Sequence, residues 1–164
     1  MKDVNYSLKL NNNEINSQGT LAIDLGSSTT VVAFQEETKQ CPELVNLKTI
    51  SSLPGLIPSL VWNCPEIKPY KLIGAEVMNF NQISEHSQFI SSDFKRWIGS
   101  SEDYKEVYKA KIPPEKAGEI LINEIWNRIP KRMQVKRLVL TAPVETYRAY
   151  REWLIRSCSK LAVS

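Results

Sequence analysis

Two short apolar runs, residues 21–23 and 31–34, are separated by Asp24, Leu25, Gly26, Ser27, Ser28, Thr29 and Thr30. Aliphatic and β-branched residues on either side of a glycine- and hydroxyl-rich break predict strand, tight hairpin, strand. The acid at the end of the first strand gives the turn chemical interest. Gly26 lets backbone approach a phosphate closely, turn amides supply donors, and the hydroxyls of Ser27 and Ser28 add more. Asp24 supplies a hard oxygen suited to Mg²⁺, directly or through water. Taken alone, the same run also fits a hairpin whose acid caps its own amides.

The text around this turn reads as α/β. Residues 1–18 are polar and asparagine-rich and predict a flexible leader, with a brief alternation at Tyr6, Leu8 and Leu10. Residues 43–50 (ELVNLKTI) predict a third strand, completing an antiparallel meander. Pro54 and Pro58 hold extended backbone before a strand at 59–62, with which 70–73 can pair. A short helix is expected over 74–83 and a helical turn over 93–98, ended by Gly99.

Pro113 and Pro114 suit a helix's first turn, and Ala117, Ile120, Leu121 and Ile125 follow at helical spacing through about Arg128. The continuous apolar run in residues 137–143 (RLVLTAP) predicts a strand covered on both faces. A second amphipathic helix is expected over 146–161, with Tyr147, Tyr150, Leu154, Ser157, Cys158 and Leu161 inward.

Composition narrows the function classes. Residues 128–160 hold nine Lys or Arg against two Asp or Glu, while 1–127 hold twelve against sixteen, so the basic character is confined to the end. Without aromatic interleaving or an arginine-rich run, that end is not read as a nucleic-acid surface. Cys41, Cys64 and Cys158 are too scattered for a metal-ligand pattern and suit a reducing compartment, so cytoplasm is expected. No apolar span is long enough for a membrane helix, and no membrane association is expected. His86 has no ligand set around it, the four tryptophans read as packing residues, and Cys158 reads as packed rather than reactive.

The ordered segments resemble a known family. The strand, acid-glycine-hydroxyl hairpin, strand is similar to the first phosphate loop of the actin, sugar-kinase and heat-shock ATPase superfamily. PSLVW (58–62), LIGAEV (72–77), FKRWIG (94–99) and LVLTAPVETYRAYREW (138–153) resemble, in order, segments of the DnaK-type seventy-kilodalton heat-shock chaperones. A sugar kinase fits less well, because the sugar-binding aspartate segment has no counterpart. The resemblance implies the ribonuclease-H-like first lobe of an actin-like ATPase over residues 19–164: a mixed sheet with an antiparallel three-stranded start, in an incomplete domain.

The resemblance also implies roles, ATP and Mg²⁺ being the ligands. Asp24 falls on the magnesium-shell aspartate, and Gly26, Ser27, Ser28 and Thr29 on the phosphate loop. Lys95 falls on the catalytic lysine that meets the γ-phosphate, in the positioning and charge-stabilising manner of phosphoryl transfer; its plain alternative is a solvated surface lysine. Pro143 and Arg151 match the strand-end proline and the helix arginine that signal toward the substrate domain; punctuation and a solvated charge are their alternatives.

Departures shape the expectation. Ser27 and Ser28 replace two threonines, the stretch between Gly99 and Ile112 is short, and Arg148 stands where the family carries an acid, which weighs against docking of a basic J-domain helper. No counterpart is found for the hinge glutamate, the second phosphate loop or the adenosine loop. An open half-site of this kind is expected to hold nucleotide weakly and to need a complementary lobe for hydrolysis. Expected partners are that lobe or a co-chaperone, with unfolded-protein clients only once the molecule is completed. The rival expectation is a non-catalytic interaction lobe, or a truncated remnant, binding another protein through its basic last helix and sheet edge.

Overall fold

The computed structural model describes residues 17–81, 85–100, 107–143, 147–159 and 161. Strand β1 (Ser17–Asp24) buries Leu21 and Ile23 on one face, and β2 (Thr29–Glu36) buries Thr30, Val32 and Phe34 on the same side. Their antiparallel register, Leu21 opposite Phe34 and Asp24 opposite Val31, follows from this period-two burial, because a slip of one residue would turn every apolar side chain outward. Ser17 and Gln18 belong to β1, so the expected leader boundary at residue 18 moves back, and the rest of that segment lies outside the described residues.

The expected third strand over 43–50 is corrected to a two-residue β3 (Glu43–Leu44) on the outer side of β2. Beyond it the chain turns sharply, with the Ile50 and Ser51 amides both donating to the Leu47 carbonyl at 2.9 Å. Leu47 and Ile50 are buried from this turn rather than from a strand, and Val45, directly after β3, is buried with its amide donating to the Val32 carbonyl at 2.9 Å. A strand not anticipated, β4 (Leu56–Pro58), continues along β2 with Thr29 opposite Pro58.

The next segments form a small second sheet. β5 (Val61–Asn63) pairs antiparallel with β6 (Lys71–Ile73), Trp62 facing Leu72, which bears out the expected pairing of these stretches. The helix expected over 74–83 is only α1 (Ala75–Met78). β7 (Ile90–Ser91) closes the other side of β5. Trp62, Cys64, Val77 and Phe89 form the core of this layer, with Phe80 and Phe89 edge-on to the Trp62 ring.

A 3-10 turn at Phe94–Trp97 ends at Gly99, whose φ of 76° requires the residue that lacks a Cβ. Helix α2 (Pro114–Arg128) buries Ala117, Leu121, Ile122 and Ile125 against the main sheet cluster. β8 (Met133–Leu140) then runs parallel to β1 on its free side, giving the order β3-β2-β1-β8 with β4 also on β2. The register shift between Gly19 and Thr20 inserts Lys136 as an extra residue, and Lys136 and Arg137 are both exposed. Of β8 only Val135 is buried, so the expectation of a strand covered on both faces is corrected to a half-open strand that is the last of its sheet among the described residues.

Helix α3 (Tyr147–Cys158) buries Tyr150, Trp153, Leu154 and Ser157. Tyr147, expected inward, is 55% exposed, and Trp153 takes the inner role instead. Glu115 locks three elements together: its carboxylate accepts the Gly99 amide at 3.2 Å and its carbonyl accepts the Trp153 indole N–H at 3.0 Å. The architecture is mixed α/β with a mixed sheet. No described helix is long and apolar enough to cross a membrane.

Candidate functional site

The turn after β1 is shaped by its own backbone. A Cβ on Gly26 would lie 2.1 Å from the Thr29 carbonyl oxygen, so any other residue would force the hairpin open. Leu25 is buried beneath the turn, while Asp24, Ser27, Ser28 and Thr29 are exposed. Thr29 is the first residue of β2 rather than part of the loop proper.

Ser59 braces the turn from behind. Its hydroxyl donates to the Gly26 carbonyl at 2.8 Å, and its amide donates to the Ser28 carbonyl at 2.9 Å. With its one proton committed, Ser59 Oγ accepts from the buried Thr30 hydroxyl at 2.9 Å. Three polar groups in a nearly water-free spot are thereby satisfied, and the exposed hydroxyls of Ser27, Ser28 and Thr29 stand on a supported backbone.

Lys95 sits on the 3-10 turn, anchored by fully buried Phe94 on one side and Ile98 on the other. Its side chain is only 18% exposed, and Nζ lies 4.0 Å from Asp24 Oδ1. The same Oδ1 accepts the Thr141 hydroxyl at 2.5 Å. The fold thus gathers Asp24, Gly26, Ser27, Ser28, Thr29 and Lys95 at one end of the sheet.

Pro143 and Arg151 are not joined to this cluster. Pro143 is partly buried three residues beyond β8, and Arg151 is exposed on α3. Among the described residues no ion pair or hydrogen bond links Arg151 to Asp24 or Lys95. Residues 144–146, part of the stretch that departs from the resembled family, lie outside the described residues, and Arg148 is exposed beside Glu152 at 3.8 Å.

Beneath the site Tyr150 is fully buried, and its hydroxyl has no hydrogen-bond partner among the described residues. Burial first, then the negative charges of Asp24 and Cys158, push its phenol well above the ordinary tyrosine range.

The donor set matches a phosphate with its Mg²⁺ in kind: one carboxylate, several hydroxyls, turn backbone and an ammonium. Among the described residues no three His, Cys, Asp or Glu side chains converge as a cage. A lone carboxylate suffices for Mg²⁺, which keeps several waters and takes phosphate oxygens as further ligands.

Sequence reasoning included Thr30 in the turn but missed Ser59, Thr141 and Tyr150 as parts of this region. The signal for Ser59 was a small hydroxyl residue inside an apolar strand segment, where an unpartnered polar group is costly. For Thr141 it was a hydroxyl residue just before the strand-ending Pro143. No family model matches this chain, and no curated protein matches it.

Proposed function

We propose that the β1–β2 hairpin and Lys95 form a phosphate- and Mg²⁺-binding half-site in an ATP-handling lobe similar to that of actin-like, DnaK-type chaperone ATPases. The observation that carries this reading is the 4.0 Å approach of Lys95 Nζ to Asp24 Oδ1 beside the hydroxyl-rich turn. An antiparallel three-stranded start followed by a strand parallel to β1 supports a ribonuclease-H-like arrangement. In this reading Asp24 holds the ion through its carboxylate or a bound water, and the turn amides and the Ser27, Ser28 and Thr29 hydroxyls hold phosphate oxygens. Lys95 stabilises charge on the terminal phosphate. Mg²⁺ supplies charge neutralisation of the phosphates when bound. Hydrolysis requires a complementary lobe over the open side, in a cytoplasmic chaperone assembly, and clients engage only the completed molecule.

The reading is tested by thermal unfolding with Mg·ATP and with Mg·AMP, which lacks the phosphate tail. A half-site about 80% saturated, with ligand at roughly four times Kd, gains about 1 kcal/mol and is expected to raise Tm by about 2–4 °C with Mg·ATP alone. Asp24→Asn and Lys95→Met should abolish that rise. Absence of any rise in the unaltered chain at millimolar Mg·ATP would sink the proposal.

A non-catalytic interaction lobe is the second reading, favoured by the half-open outer side of β8, where Val139 is 45% exposed. Lys136 and Arg137 on that strand also fit simple protection of a sheet edge.

A further inference from the structure

Two contacts meet on a single oxygen of Asp24. The Thr141 hydroxyl donates to Oδ1 at 2.5 Å, and the Lys95 ammonium approaches that same atom. Among the described residues no hydrogen bond or ion pair reaches Oδ2. Parallel pairing of β1 and β8 ends at Ile23 opposite Leu140, so Asp24, the last residue of β1, and Thr141, the first residue after β8, lie side by side just past the last rung.

We infer that Thr141 is a positioning residue, whose hydroxyl fixes the Asp24 carboxylate in one rotamer so that Oδ2 is the oxygen presented to a bound ion or its water. The consequence for binding rests on the phosphate-site reading above; the positioning itself does not.

The physical argument begins with exposure. The Asp24 side chain is 57% exposed at a strand end, where neighbours leave an aspartate free to sample several χ1 wells. Ordering it at the moment of binding would cost rotamer entropy, and a site whose ligand is already held avoids that loss. A hydroxyl donating to an ionised carboxylate is among the stronger hydrogen bonds, short and directional, which makes it suitable as a clamp. Lys95 at 4.0 Å is too distant for such a bond and attracts the carboxylate without fixing its angle. Thr141 is itself exposed at a β-strand end, so removing its hydroxyl leaves no cavity in the core.

The test uses the full chain and three variants, Thr141→Val, Thr141→Ala and Thr141→Ser. Three-bond couplings from the Asp24 backbone nitrogen and carbonyl carbon to Cγ report its χ1 distribution. A single-rotamer pattern is expected in the unaltered chain and in Thr141→Ser, and an averaged pattern in Thr141→Val and Thr141→Ala. Mg·ATP affinity should fall about tenfold in the hydroxyl-free variants, as expected for losing a hydrogen bond to a charged group, and return in Thr141→Ser. Unchanged couplings in both hydroxyl-free variants would overturn the inference, as would averaging that Thr141→Ser fails to reverse. If the unaltered chain shows no saturable Mg·ATP binding, the phosphate-site reading fails, and the couplings alone decide the role of Thr141.

Discussion

Lys95 Nζ lies 4.0 Å from Asp24 Oδ1, across the gap between a 3-10 turn and the end of β1. The two residues are far apart in the chain and are brought together by the packing of Phe94, Ile98 and Gly99 against α2 and α3. Because the Asp24 side chain is more than half exposed, solvent screens the pair heavily, and its contribution to stability is small. A Lys95→Met variant is expected to change unfolding free energy by less than about 0.5 kcal/mol, measured by urea titration. A larger loss would mean that Lys95 is a packing residue and not one held for ligand.

Ser59 is the opposite case. Its hydroxyl is almost fully buried and satisfies both the Gly26 carbonyl and the Thr30 hydroxyl. Ser59→Ala leaves those groups without their partner, which costs roughly 1–3 kcal/mol. Urea unfolding should show a lower midpoint with an unchanged slope. An unaltered midpoint would show that the hairpin does not depend on this brace.

Glu124 links stability to acid. Burial pushes its carboxyl up, but bonds from Lys71 at 2.7 Å and from Arg128 outweigh that and hold it below the usual glutamate range. A carboxyl with a depressed folded-state pKa contributes stability that is present above the unfolded value, about 4.3, and is lost as pH falls through the folded value. Stability measured across pH 3–6, a window set around that reference value, is expected to fall on the acid side, and Glu124→Gln to flatten the fall. Parallel curves for the two proteins would refute the assignment.

The cysteines should differ in reactivity. Cys41 is exposed, Cys64 is fully buried, and burial pushes the Cys158 thiol up to about 11. At pH 8 the thiolate of Cys158 is scarce, and a disulfide reagent attacks thiolates. One equivalent is expected to react quickly, assigned to Cys41 by its loss in Cys41→Ser, with the other two slow until denaturant is added. Fast reaction of Cys158 in the folded chain would contradict its placement against the core.

The hairpin was legible because Leu21 and Ile23 alternate against Val32 and Phe34 around a glycine that only one backbone shape accommodates. α2 was legible too, from prolines at its start and apolar residues on one helical stripe. The stretch 43–50 misled because Leu44, Leu47 and Ile50, set among polar residues, look like the imperfect alternation of a strand. In the fold a tight turn delivers Leu47 and Ile50 to the core, and periodicity does not distinguish the two routes to burial. The apolar run of β8 suggested a covered strand, but the second face of a strand depends on what packs beside it.

What the sequence determined by itself was local: the Asp24–Gly26–Ser27–Ser28 turn, the α2 stripe, the Gly99 stop and the lone carboxylate with its hydroxyl neighbours. These follow from side-chain chemistry, backbone preference and spacing, which act over a few residues. Tertiary structure alone decided that Lys95 faces Asp24, that Ser59 supports the turn from behind, and that Thr141 reaches Oδ1. Those juxtapositions depend on strand register and on helices packing across the sheet, long-range choices made by burying the whole apolar set at once.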